Sequence, residues 1–201
     1  RNEDVLFDRE KIQVWDWAGV NIKNESQGNE KDSTSIQYHV IQKLKEQNFD
    51  IIFDDDNAGE IADVIAIEVD DVNKKVKVEL FHLKFSQEDR PGARINDLYA
   101  VNGQAQKCVS WLHTRPEHII GRMLRRGASG PKNRYELGTE EQLSIIREKV
   151  KSLYEIEYIV HIVQPGLSKV AASREQLKLL SLTEAFLWET RMIKLGVIAS
   201  A

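Results

Sequence analysis

The chain has 201 residues, 41% hydrophobic and 30% charged, with 28 Lys+Arg against 32 Asp+Glu for a net charge of −4; this globular composition excludes a disordered or collagen-like chain and suffices for one domain with a real core. The single cysteine, Cys108, excludes an intrachain disulfide and any structural zinc site built on two or more thiolates, and it points to a reducing compartment, the cytoplasm. No stretch approaches the roughly 18 apolar residues of a membrane span, no secretory signal opens the sequence, and the start at Arg1 leads us to expect a piece of a longer polypeptide.

Residues 1–34 read as an N-terminal extension and polar loop. Trp15 and Trp17 alternate about Asp16 as in a short strand, and 21–34 (NIKNESQGNEKDST) is rich in Asn, Ser and Gly. A helix is expected from Thr34-Ser35-Ile36-Gln37, where a hydroxyl followed three residues on by Gln fits a capping box. Its apolar stripe is Ile36, Val40, Ile41 and Leu44, and it ends near Gln47-Asn48. FDIIF (49–53) is a short apolar run stopped by DDDNAG (54–59). IADVIAIEV (61–69) is apolar almost throughout, as in a strand buried on both faces. Residues 70–74 form a hairpin-like turn, and KVKVELFHLKF (75–85) reads as a second central strand. SQEDRPG (86–92) is a loop.

A helix over 95–112 buries Leu98, Val101, Ala105, Cys108 and Leu112. Gly103 inside it costs about 1 kcal/mol relative to Ala, which implies close packing against a neighbour. Residues 113–138 read as a long basic loop region with a short helix at 117–125. A helix over 140–153, a strand at EIEYIVHIV (155–163) stopped by Gln164-Pro165-Gly166, a helix over 174–192 and a closing strand at KLGVIAS (194–200) complete the chain. This order implies an α/β domain over 35–201, with a mixed sheet between helices.

Charge is unevenly distributed. Residues 46–71 carry ten acids and no Lys or Arg, whereas 104–134 carry seven bases against the single acid Glu117. One block suits cations and the other polyanions, although two solvated loop regions would give the same count. Lys84 is out of place in an apolar run, because a buried lysine is paired or functional. Strand alternation puts His82 and Lys84 on one face with Val78 and Leu80. If the strands on either side of the 70–74 turn pair, Asp63 and Lys84 converge at one edge of the sheet.

The run from GEIADVIAIEV (59–69) to FHLKFS (81–86) resembles the PD-(D/E)xK nuclease superfamily, with Asp63 at the first acid and Lys84 at the lysine. GEIAD, FHLKFS, PGARINDLY (91–99), GQAQK (103–107) and VQPGLSK (163–169) resemble, in order, the nuclease-like domains at the C-terminus of bacterial superfamily 2 DEAD/DEAH-box helicases, restriction and phage-defence proteins among them. The resemblance covers most of 35–112 and one later patch. It implies a restriction endonuclease-like fold with an α-β-β-β-α-β core, and a metal-dependent DNA nuclease working with Mg²⁺ or Mn²⁺. In that reading Asp63 binds the metal and Lys84 supports the attacking water and the transition state. Gln104 positions the lysine or a phosphate, and Lys107, Arg90, Arg94, Arg122, Arg125 and Arg126 hold backbone phosphates. His82 stands where the pattern has an acid and is expected on the site face as a metal ligand or hydrogen-bond partner; imidazole suits Mn²⁺ better than Mg²⁺. Glu60 is the nearby acid that compensates, since alternation turns Glu79 to the opposite face from Lys84. No GxxxxGK[ST] occurs, so no ATP site is expected in this chain; the motor would be an upstream helicase/ATPase region of the same polypeptide.

Each of these residues also has a purely structural role open to it. Lys84 can snorkel to the sheet edge, Asp63 can end a turn, His82 can be a hydrogen-bonded core residue and Gln104 a helix-surface amide. The alternatives are therefore a catalytically inactive nuclease-fold module that binds DNA or a partner for an attached helicase, and an α/β interaction domain with no nucleic-acid role.

Overall fold

A run such as IADVIAIEV, with no polar face, needs cover on both sides. In the computed structural model, which describes residues 5–129 and 132–201, it has that cover. The elements in chain order are β1 (Ile12–Val14), α1 (Ile36–Lys45), β2 (Ile51–Asp54), β3 (Val64–Asp70), β4 (Lys75–Leu83), α2 (Asn96–Lys107), α3 (Val109–Leu112), α4 (Pro116–Gly127), β5 (Tyr135–Leu137), α5 (Glu140–Ser152), β6 (Glu155–Ser168), α6 (Arg174–Arg191) and β7 (Lys194–Ser200). The strands form one mixed sheet in the order β1-β7-β6-β4-β3-β2-β5. The β5-β2-β3-β4 half is antiparallel and the β4-β6-β7-β1 half parallel.

Two cores lie on opposite faces of this sheet. On one, Ile65, Ile67, Val78 and Leu80 pack with Leu98, Val101 and Ala105 of α2, Ile120 and Met123 of α4, Leu143 of α5 and Leu180 of α6. On the other, Val64, Ala66, Phe81 and Leu83 meet the α1 stripe of Ile36, Val40, Ile41 and Leu44. The α/β class with a mixed sheet between helices is the observed architecture.

Several local expectations are corrected. The first strand precedes the tryptophans: β1 pairs in parallel with β7, while Trp15 and Trp17 pack beside His39. No capping box forms at α1. Ser35, not Thr34, is the N-cap and accepts from the Tyr38 N–H, while the Gln37 amide turns inward, accepting from the Gln27 N–H at 2.9 Å. A capping box does form at α6, between Ser173 and Gln176. The 95–112 helix is broken at Cys108 into α2 and α3. Gly103 has no close neighbour, since a Cβ there would meet nothing within 4 Å. The helix expected at 117–125 is present as α4, and the basic region also holds an unexpected edge strand, β5.

Strand β6 is not stopped by Gln164-Pro165-Gly166; it runs on to Ser168. Proline removes a ladder donor, and the chain tolerates it at a register break between Val163 and Ser168. There the Gly166 N–H is taken by Gln164 Oε1 at 2.7 Å and the Pro165 carbonyl by the Ser200 hydroxyl at 2.7 Å. The stretch before residue 35 is built into the same sheet, through β1 and the buried Phe7.

Candidate functional site

The β3–β4 hairpin fixes the position of the candidate acid. Its register runs from Asp70–Lys75 to Val64–Phe81, where the ladder ends, and Asp63, just before β3, is tied to the end of β4. The Asp63 N–H donates to the Phe81 carbonyl at 3.1 Å, and the Leu83 N–H donates to Asp63 Oδ2 at 2.8 Å. The carboxylate thus stands in for a missing strand carbonyl. It is only 5% exposed.

The loop before Asp63 folds back on it. Asp55 N–H donates to the Asp63 carbonyl at 3.2 Å, Glu60 N–H to the Asn57 carbonyl at 3.0 Å, and Ile61 N–H to Asp55 Oδ2 at 2.7 Å. Gly59, at φ +82°, takes the left-handed backbone conformation this turn requires. The result gathers Asp56, Glu60 and Asp63, one carboxylate oxygen from each lying within 4.8 Å of the others.

Electrostatics follow from that crowding. Burial raises the Asp63 carboxyl well above the usual range; the Leu83 N–H opposes the shift, and repulsion from Glu60, Glu25 and Asp56 adds to it. Burial also raises Glu60, with further repulsion from Asp56, Asp55 and Glu25 and an opposing bond from Asn57 N–H. An all-oxygen donor set with unrelieved repulsion fits a hard divalent cation such as Mg²⁺ or Mn²⁺.

Lys84 does not pair with Asp63. Its ammonium lies 2.8 Å from Glu25 Oε2, which also accepts from the Phe85 N–H at 2.9 Å, and it sits 4.2 Å from the centroid of the Phe85 ring. Because Glu25 acts on both Asp63 and Glu60, it links the lysine to the acidic cluster. Glu25 comes from the 21–34 loop, which is pinned at several points. Its carbonyl accepts from Gln37 N–H at 2.9 Å, that of Asn24 from Ile36 N–H at 2.9 Å, and that of Ile22 from Ser86 N–H at 2.7 Å. Ser26 donates its hydroxyl to Asp56, and the Gln27 amide donates to Asp54 at 2.8 Å.

His82 lies on β4 between Phe81 and Leu83, the two residues that Asp63 bonds, but it is not in the carboxylate cluster. It is 3% exposed, burial pushes its imidazole down to about 3, and its Nε2 has no hydrogen-bond partner among the described residues. It lines a cleft of about 360 Å³ together with residues 57–61, Gln104, Lys107, Cys108 and Trp111. Glu60 belongs to both the cleft and the acidic cluster. Asp63, Glu60, His82 and Gln104 therefore gather around one end of the hairpin, with Lys84 attached through Glu25.

The expected phosphate-binding residues divide. Arg126 forms an ion pair with buried Asp55 and donates to its carbonyl at 2.6 Å. Arg122 stacks on the Trp111 ring, 4.5 Å from its centroid, and Arg94 is held by Glu88, Asp97 and Ser86. These three are engaged within the protein, whereas Arg90, Lys107 and Arg125 are exposed. Much of the basic block folds onto the acidic one, for Lys132 also meets Asp54 at 2.7 Å and Arg134 donates to the Asp54 and Asp56 carbonyls.

Asp56 and Glu25 were not among the sequence candidates. Asp56 lies inside the acidic run already noted, whereas Glu25 carries no local signal, because its role depends on contacts with residues about sixty positions away. Comparison of the chain with protein-family models, curated proteins and solved structures finds no match in any of the three. No helix among the described residues is long and apolar enough to cross a membrane.

Proposed function

We infer that the protein is a metal-dependent phosphodiesterase acting on DNA, on a variant of the restriction endonuclease-like fold. The observation that carries this reading is the carboxylate triad Asp56, Glu60 and Asp63, whose oxygens lie within 4.8 Å of one another and which shares Glu60 with a cleft edged by Lys107. In this reading the three carboxylates hold Mg²⁺ or Mn²⁺, and His82, buried and outside the triad, is not a ligand. A bound divalent ion lowers the pKa of water and polarises a phosphoryl oxygen. Lys84 is tied to Glu25, which acts on Asp63 and Glu60; in this reading its ammonium offsets negative charge developing on the phosphoryl group. The exposed Lys107, Arg90 and Arg125 are the cations left to meet a phosphate backbone. The resemblance to helicase-linked domains favours a cytoplasmic helicase-nuclease of bacterial restriction or phage defence, the motor lying elsewhere in the polypeptide.

The catalytically inactive, DNA- or partner-binding module is the second reading, and the pairing of Lys84 with Glu25 is the observation in its favour. Cleavage of plasmid and single-stranded DNA with Mg²⁺ or Mn²⁺ separates the two. We expect cutting by the wild type and a loss of at least 100-fold in both Asp63→Ala and Lys84→Ala. Equal cutting by all three proteins removes the assignment, and salt-dependent binding without cutting selects the second reading.

A further inference from the structure

The cleft beside the triad has polar groups that the protein does not satisfy. His82 Nε2 and Gln104 Oε1 are both buried without a hydrogen-bond partner among the described residues, and both residues line it. Buried polar groups are nearly always paired, so two unpaired ones on residues that line the same cleft point to a ligand that supplies the partners. An amide oxygen only accepts, while a histidine nitrogen donates or accepts according to its tautomer. The rest of the wall is mixed: Ala58, Ile61, Cys108 and the indole of Trp111, on which the Arg122 guanidinium stacks, give it an apolar side, and Asn57, Glu60 and Lys107 a polar one. The volume of about 360 Å³ lies within the roughly 300–1,000 Å³ of small-molecule sites. A ligand that fits is flat and apolar on its faces, carries a donor and an acceptor on one edge, and bears an anionic group towards the triad and Lys107.

We propose that this cleft binds one unpaired nucleobase of the DNA substrate, with its hydrogen-bonding edge against His82 and Gln104 and its phosphate towards the carboxylate cluster. A base engaged this way cannot also pair with a complementary strand, so the substrate is single-stranded DNA or a nucleotide frayed or flipped from a duplex. Every base presents a donor beside an acceptor, and the cleft therefore selects for an unpaired base rather than for a particular one. The proposal rests on the nuclease reading only for what lies beside the base.

The test needs no turnover. Binding of deoxyadenosine 5′-monophosphate and of deoxyribose 5-phosphate, neither of which has a diester to cleave, is measured calorimetrically in Mg²⁺ for the whole chain and for Gln104→Leu. We expect the nucleotide to bind at least tenfold more tightly than the sugar phosphate, and this preference to fall below twofold in Gln104→Leu, with an unchanged melting temperature reporting that the variant is folded. A single-stranded oligonucleotide should displace the nucleotide at least tenfold better than a blunt duplex of the same sequence. Equal affinity for the two compounds, no binding of either, or a preference that survives in Gln104→Leu overturns the proposal. Cleavage without base preference overturns the cleft assignment and leaves the nuclease reading standing, whereas base preference without cleavage in Mg²⁺ or Mn²⁺ does the reverse.

Discussion

Replacing Asp63 by Asn should raise the stability of the metal-free protein and abolish its response to divalent cations. Two unit charges 4.8 Å apart repel by about 3.5 kcal/mol at an effective dielectric of about 20, before water screens the partly exposed Asp56 and Glu60. Asp63, raised mainly by burial, binds its proton more tightly folded than unfolded. Its contribution to stability is therefore complete below the unfolded-state pKa and is lost as pH rises through the folded one, leaving a net penalty at neutral pH. Asparagine removes that penalty, and its Oδ1 can still accept from the Leu83 N–H. A free ion at 100 times its dissociation constant adds about 2.7 kcal/mol to the wild type, which for a chain of about 200 residues is roughly 5–10 °C in Tm. Thermal melts of both proteins in chelator, Mg²⁺ and Mn²⁺ at pH 7.5 read this directly. Equal cation-dependent shifts in the two proteins, or none in the wild type, refute a metal centre on Asp63; a metal-free variant that melts below the wild type refutes the electrostatic argument.

Three further outcomes are expected. Glu25→Gln leaves Lys84 without its ionic partner and should weaken the apparent Mn²⁺ affinity or activity about 10–100-fold, as loss of a group bracing a metal site does; metal titration of the cleavage rate measures it. Arg126→Ala leaves the fully buried Asp55 carboxylate without its ion-pair partner and should destabilise the fold by about 3–5 kcal/mol in urea unfolding. The loss should shrink as pH falls and Asp55 is protonated, since burial already raises that group. Gly196→Ala places a methyl 2.2 Å from His161 Nδ1, on a ring held by Glu79 at 2.7 Å and stacked on Phe81 at 4.4 Å. Overpacking of this kind costs about 1–3 kcal/mol and should lower Tm while sparing metal affinity.

What could be read from the sequence follows the distance over which each signal acts. The hairpin was legible because a turn between two β-rich runs fixes its own register, and that register brings Asp63, just before β3, to the end of β4. The apolar stripes of α1 and α2 were legible for the same local reason. The strand through Pro165 was not, because Ser200, more than thirty residues on, satisfies the carbonyl beside the proline. Gly103 misled because a helical glycine signals close packing only if a neighbour arrives, and none does.

The two charged blocks were the deepest ambiguity. Counted separately they promised one surface for cations and another for phosphates; folded together, Arg126, Lys132 and Arg134 hold the acidic loop in shape. That changes which charges do what. Arg126, bound to Asp55, and Arg134, bound to the Asp54 and Asp56 carbonyls, brace the turn that delivers Asp56 and Glu60 to Asp63, so on the proposed reading their role is to shape the carboxylate triad rather than to hold a phosphate. Salt dependence discriminates between the two roles. If Arg126 met a phosphate, replacing it would reduce the slope of log K against log[salt] by about one; as a brace for the loop, it should change fold stability and metal affinity and leave that slope where it was.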